Sequence, residues 1–189
     1  MLSTKLGHIF DKPLEPIVRK ITVSPNTVTI AGFVITVVAS AVIPFNLLTG
    51  GLLILLGGLF DMLDGIVART NKKNTRFGAF LDSTIDRYCD SLIFIAVAWH
   101  FFKEGHLFGV LITAGAMVGA VLISYVRARA EGLGIECKVG IMERPERIVL
   151  IAFGCITGLI FPVMVAIFLL NHLTVLQRIR HVYNLVRYS

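Results

Sequence analysis

Four aspartates, Asp61, Asp64, Asp82 and Asp86, are the residues whose type and spacing could do chemistry; they fall in the stretch DMLDGIVARTNKKNTRFGAFLDSTID. The first two are three apart and the last two four apart, so each pair shares one face of a helix. Apolar runs flank them, Leu52 to Leu59 leading into Asp61 and Leu92 to Phe102 following Asp86. Such runs place the carboxylates at membrane depth, where one ionised group costs roughly 2.5–3.5 kcal/mol on insertion scales. Four together require a compensating cation, which argues against solvated residues at helix ends.

The spacing goes further if one helix descends to about Arg69 and the next climbs from about Gly78, across the polar turn Thr70 to Phe77. Asp61 and Asp86 then each lie roughly 12 Å from the turn at 1.5 Å per residue. Asp64 and Asp82 are nearly level as well. Carboxylate oxygens converging at matched depth suit hard divalent ions such as Mg²⁺ or Mn²⁺. Four aspartates could hold two ions, an arrangement that clamps attacking and leaving oxygens in phosphoryl chemistry.

The frame Asp61-x-x-Asp64-Gly65-x-x-Ala68-Arg69, then residues 70–77, then Gly78-x-x-x-Asp82-x-x-x-Asp86 resembles the CDP-alcohol phosphotransferase motif at every fixed position. The resemblance implies an integral membrane enzyme that moves a phosphatidyl-type group from a CDP-activated lipid to an alcohol and releases CMP. It implies metal ligation by Asp61, Asp64, Asp82 and Asp86, with Asp86 also the general base towards the acceptor hydroxyl. It places CDP against Asp61, Gly65, Ala68, Arg69 and Gly78, and against Asn26 and Thr29 at the start of the first span. Homodimerisation is a further implication of the family.

Arginines concentrate next to that frame, in Ser124 to Gly134 and Met142 to Arg147. Planar guanidinium forks match phosphate oxygens. The stretch resembles the phosphatidylinositol-phosphate synthase branch, which implies inositol 1-phosphate as acceptor and Arg127, Arg129, Arg147 and Arg187 as holders of its phosphate. Arg127 stands where that branch has lysine. Phosphatidylglycerophosphate synthases, with glycerol 3-phosphate, are the nearest alternative, and the donor could be CDP-diacylglycerol or CDP-archaeol. A divalent-cation transporter is the alternative of another class. It would need neither the glycine and arginine frame nor a wholly apolar Leu52 to Phe60.

Composition agrees with a membrane setting. A chain 56% hydrophobic with mean hydropathy +0.81 exceeds the 45–50% or so of soluble domains. The expected fold is an all-α integral membrane domain of six transmembrane helices with an N-terminal interfacial amphipathic helix. It forms one domain over 1–189: a juxtamembrane segment 1–22, a core 24–180 and a tail 181–189. Ser24-Pro25 starts a helix, and Ala31 to Leu48, interrupted by Pro44, is the first span. Thr49 to Gly51 turns the chain into Leu52 to Arg69, and the next spans are Gly78 to Phe102 and Leu107 to Val126. Ile148 to Ile160 and Val163 to Leu176 follow, broken at Phe161-Pro162, before a basic tail.

The net charge of +6 comes without a basic-aromatic patch, so no nucleic-acid partner is inferred. Lys103 apart, the cations fall on the side shared by both termini, the turn 70–77 and the loop 127–147. The positive-inside rule makes that side cytoplasmic, with the aspartates opening towards it and lipid around the rest. Cys89, Cys137 and Cys155 lack disulfide or zinc spacing, and the five histidines are scattered.

Overall fold

The computed structural model describes residues 24–70 and 75–187, with side chains at all of these except 68–70. The expected amphipathic segment 1–22 and part of the polar turn lie outside the described residues. Among the described residues six α-helices follow one another: α1 (Pro25–Val42), α2 (Leu47–Thr70), α3 (Arg76–Lys103), α4 (Leu107–Glu131), α5 (Arg144–Thr157) and α6 (Ile160–Val186). In space they close into a ring. α1 packs on α2, α2 on α5, α5 on α6, α6 on α4, α4 on α3, and α3 returns to α1.

Local chemistry sets the ends. Ser24 caps α1, its hydroxyl accepting from the Thr27 amide at 3.2 Å, and Pro25 fills the first turn, where its missing N–H is harmless. Thr75 caps α3 in the same way through the Gly78 amide at 2.9 Å. Gly158, at φ +74°, ends α5 in the left-handed conformation that glycine adopts without strain.

Several boundaries differ from the sequence reading. α1 starts where Ser24-Pro25 implies but ends at Val42, ahead of Pro44, and the turn lies at 43–46. Thr49 to Gly51 sits inside α2, which Asn46 caps by accepting from the Thr49 amide at 3.0 Å. The glycines there serve packing. A Cβ on Gly50 would lie 2.5 Å from Ile43 Cγ1, and one on Gly51 would lie 2.8 Å from Cys155 Cβ.

α4 runs on to Glu131 instead of stopping near Val126, helped by the Arg127–Glu131 ion pair at 2.8 Å, one helical turn apart. The loop is therefore 132–143, and Pro145 belongs to the first turn of α5. Phe161-Pro162 falls in the opening turn of α6, where proline is tolerated; the break is one turn earlier. The basic tail continues α6. Arg178, buried, donates to the Ile123 carbonyl at 2.6 Å and the Val139 carbonyl at 2.9 Å.

Among the described residues four helices, α1, α2, α4 and α6, are long and apolar enough to cross a membrane. The other two differ for separate reasons. α3 is long but carries Asp82, Asp86, Arg87 and Asp90. α5 has 14 residues, about 21 Å against a hydrocarbon core of about 30 Å. Both still present apolar side chains outwards, Ile95, Trp99 and Phe102 on α3 and Val149 and Phe153 on α5. The protein is a multi-pass, all-α membrane protein. Its apolar core, around Ile43, Ile54, Phe94, Val97, Ile151 and Ile167, ties the six helices together beside the polar site.

Candidate active site

Two helices deliver the carboxylates, and a third supports them. Asp61 and Asp64 share a face of α2, and Asp82, Asp86 and Asp90 recur every fourth residue along α3. Oxygens of Asp61, Asp64 and Asp82 all lie within 4.8 Å of one another. Asp64 is buried, and α1 holds it from behind: the Thr29 hydroxyl stands 2.6 Å from Asp64 Oδ2 and 3.1 Å from the Pro25 carbonyl. One proton cannot serve both fully, and the shorter contact is the charge-assisted one. A donor set made of oxygen alone fits a hard divalent ion. Asp61, Asp64 and Asp82 would hold it.

Asp86 is turned to a different cation. Arg144, the first residue of α5, places Nη1 2.6 Å from Asp61 Oδ1 and 2.8 Å from Asp86 Oδ1. The second contact is close but not aligned as a hydrogen bond, so Asp86 Oδ1 is buried beside a charge without a bonded donor. Arg144 Nε lies 3.5 Å from Asp90 Oδ1. Asp90 Oδ2 accepts from Arg147 Nη2, and that guanidinium is 2% exposed. Arg87 Nη1 adds a looser contact to Asp86 Oδ2 at 3.5 Å.

A pocket of about 600 Å³ opens beside this network, walled by Asp86, Asp90, Arg127, Arg144, Arg147 and Arg178 among others. Its size falls within the roughly 300–1,000 Å³ of small-molecule sites. Arg147 brings to it two buried nitrogens, Nε and Nη1, that have no hydrogen-bond partner. Unmet donors on a buried cation are costly unless an anion meets them.

The loop that lets Arg144 reach this depth is pinned by α6. Thr174 Oγ1 accepts from the Met142 amide at 3.0 Å, and Arg178 holds the Val139 carbonyl. Gly140, at φ +133°, crosses Thr174 so closely that a Cβ would lie 2.5 Å from Thr174 Cγ2. The chain thus descends into the bundle before α5 begins.

The sequence profile of the family described as CDP-alcohol phosphatidyltransferase matches residues 22–185. The chain belongs to this family. Among relatives of this CDP-alcohol phosphatidyltransferase, the archaetidylinositol phosphate synthase of Methanothermobacter thermautotrophicus is 40% identical over 90% of this chain and 88% of its own length. The crystal structure of Mycobacterium tuberculosis phosphatidylinositol phosphate synthase with CDP-DAG bound superposes with a TM-score of 0.82 at 30% identity, covering 92% of this chain and 93% of that one. The same enzyme in complex with manganese and citrate gives a TM-score of 0.81, covering 92% and 88%. The family and the oxygen-only cluster together make this a divalent-metal-dependent transferase.

The remaining residues singled out from the sequence are placed as follows. Asn26 is half-buried at the start of α1 and meets Gly78, where an added Cβ would lie 3.3 Å from its Oδ1 and 2.9 Å from Thr75 Oγ1. Gly65 is half-buried in α2 beside Asp64. Ala68 and Arg69 fall in the last turn of α2, and their side chains lie outside the described ones. Arg127 and Arg147 wall the pocket. Arg129 is exposed on α4 and Arg187 caps the end of α6, and neither is among the residues walling the pocket.

Sequence reasoning passed over two residues here. Asp90 continues the fourfold spacing of Asp82 and Asp86 and could have been found by extending it. Arg144 stands in sequence among the arginines of 142–147, and only the fold pairs it with the aspartates.

Proposed function

We propose that this chain transfers the phosphatidyl or archaetidyl group of a CDP-activated lipid to a hydroxyl of a phosphorylated polyol, inositol 1-phosphate, and releases CMP. The observation that carries the reading is adjacency: the three-carboxylate cluster adjoins a pocket lined by arginines, and Asp86 borders both. Asp61, Asp64 and Asp82 would hold a divalent ion, which would supply charge neutralisation of the diphosphate and polarisation of the phosphorus under attack.

The rest is the work of the chain's own groups. Asp86, at the pocket wall, is the base that takes the proton from the acceptor hydroxyl. Arg147 and Arg127 hold the acceptor phosphate, Arg147 with its two unmet N–H groups. Arg129 and Arg187, outside the wall, attract the anionic acceptor to the mouth. Asn26, Thr29, Gly65, Ala68, Arg69 and Gly78 line the approach of the cytidine diphosphate, where Gly78 leaves room for backbone contact. The lipid tails stay in the bilayer. The site opens to the cytoplasm, the side the cation distribution favours, and residues 1–189 act as one domain that pairs as a homodimer.

Support for the acceptor comes from relatives named for the synthesis of archaetidylinositol phosphate and phosphatidylinositol phosphate. Support for the donor and the metal comes from neighbours solved with CDP-DAG and with manganese. The test is CMP release by the purified protein in detergent, with CDP-diacylglycerol or CDP-archaeol and with Mg²⁺ or Mn²⁺. Inositol 1-phosphate should support turnover at least tenfold above glycerol 3-phosphate, inositol or serine. Preference for glycerol 3-phosphate would overturn the acceptor assignment, and release unaffected by chelation would overturn the metal.

A further inference from the structure

Carboxylates as well as arginines border the pocket: Asp86, Asp90, Glu131 and Glu143. A cavity that had only to hold a phosphate would gain nothing from negative walls, since like charges at close range repel. Asp86 is the proposed base, Asp90 holds Arg147, and Glu131 accepts from Arg127 Nε at 2.8 Å. Glu143 is the fourth. Its Oε1 stands 4.0 Å from Arg178 Nη2, a charge contact longer than a hydrogen bond.

We propose that Glu143 sets acceptor specificity, its carboxylate accepting from neighbouring hydroxyls of a polyol whose phosphate Arg147 holds. The inference rests on the reading of this pocket as the acceptor site. The placement of Glu143 supports it. Glu143 is the N-cap of α5 yet makes no side-chain cap bond, a task that the shorter Asp, Asn and Ser side chains perform. Its carboxylate lies at the pocket wall instead, 18% exposed. Its backbone is fixed on both sides: the Met142 amide donates to Thr174 Oγ1 at 3.0 Å, and the Glu143 carbonyl accepts from the Arg147 amide at 3.3 Å.

Glu143 and Arg147 thus stand one helical turn apart, about 5–6 Å between Cβ atoms. Arg147 is buried and brings two unmet nitrogens, Nε and Nη1. One turn of helix therefore gives the same cavity a guanidinium for an anion and a carboxylate for hydroxyls, the two ends of a phosphorylated polyol. Arg178 beside Glu143 offsets the repulsion between that carboxylate and the entering phosphate. The pairing also discriminates, because an ionised carboxylate has two oxygens and accepts from two O–H groups at once. Inositol 1-phosphate keeps adjacent hydroxyls after one has served as the nucleophile. Glycerol 3-phosphate has a single pair and uses one member of it in the reaction. Glu143 therefore favours the ring polyol.

The experiment is CMP release in detergent at saturating CDP-lipid, with inositol 1-phosphate varied and inorganic phosphate added as a competitive probe of the arginines alone. Glu143→Ala should raise the KM for inositol 1-phosphate at least tenfold, while the inhibition constant of phosphate stays within threefold of wild type. A smaller rise in KM overturns the proposal and leaves the acceptor reading standing. So does a phosphate constant that weakens in step with KM, which would make Glu143 a support for the arginines and not a reader of hydroxyls. A wild type that phosphate does not inhibit, or that prefers glycerol 3-phosphate, overturns both. Should Glu143→Ala give no monodisperse protein, Glu143→Gln decides, since it keeps the volume and one acceptor oxygen but loses the second. It should raise the KM at least threefold with phosphate inhibition again unmoved, and a smaller rise or a parallel change in the phosphate constant ends the proposal.

Discussion

The most informative perturbation is at Asp90, which no motif marks. Its carboxylate holds the buried Arg147 and lies 3.5 Å from Arg144 Nε. Asp90→Asn keeps the shape and one acceptor oxygen but removes the charge. Two losses follow. A buried guanidinium left uncompensated destabilises the fold by about 3–5 kcal/mol, on the order of 10 °C in the melting midpoint for a chain of this size. On the proposed assignment of Arg147 to the acceptor phosphate, the guanidinium, no longer fixed, meets that phosphate less well. A hydrogen bond to a charged group contributes about 1.5–3 kcal/mol, so the KM for inositol 1-phosphate should rise about 10- to 100-fold. The KM for the CDP-lipid should move less than threefold, since no CDP contact runs through Asp90. Both constants are read from CMP release in detergent at saturating partner substrate. Equal rises in both would refute the positioning role. A stability cycle gives an independent check. Asp90→Leu and Arg147→Met should each lower the midpoint, and the double variant should recover part of the loss, because removing both charges leaves no orphan. Strictly additive losses would show that the pair is not coupled.

Other outcomes follow from the same geometry. Asp86→Asn should release no measurable CMP while still binding Mn²⁺, and near-normal turnover would remove the base assignment. Thr29→Val deletes the 2.6 Å bond to Asp64 and should weaken Mn²⁺ binding about 10- to 100-fold, as loss of a ligand's supporting hydrogen bond does; Thr29→Ser should restore it. Gly51→Val meets Cys155 and the Ala152 carbonyl at 2.8 and 3.1 Å and should destabilise by about 1–3 kcal/mol through overpacking. Gly58→Ala meets only Ile148 Cγ2 at 3.3 Å and should be milder in the same thermal assay. Arg178→Met releases Val139 and should speed proteolysis within 132–143, measured by the rate of nicking in detergent.

How far this site could be read in advance depended on whether its parts are local in sequence. The aspartate pairs were legible because helix geometry converts a spacing of three or four into a shared face, and few residues separate the end of α2 from the start of α3. Nothing local links Arg144 to Asp61: they lie far apart in the chain, and their meeting depends on α5 starting deep in the bundle. That start depends in turn on Gly140 passing Thr174 and on Arg178 reaching across to α4. Glycine was the other source of error. Thr49-Gly50-Gly51 reads as a turn because glycine is most often used for its backbone freedom. Here Gly50 and Gly51 stand inside a helix, where Ile43 and Cys155 leave no space for a Cβ. A sequence shows that a position is small, but whether smallness serves a bend or a contact is decided by the neighbour, and in a ring of helices that neighbour is usually distant in the chain. The arginine-lined pocket sits at the far end of this scale. Its arginines were visible as a concentration of charge, yet Arg147 enters as a buried cation held by Asp90 while Arg129, only two residues past the pocket-lining Arg127, faces outwards. Helical phase separates them, and that phase was hidden until α4 was seen to continue to Glu131.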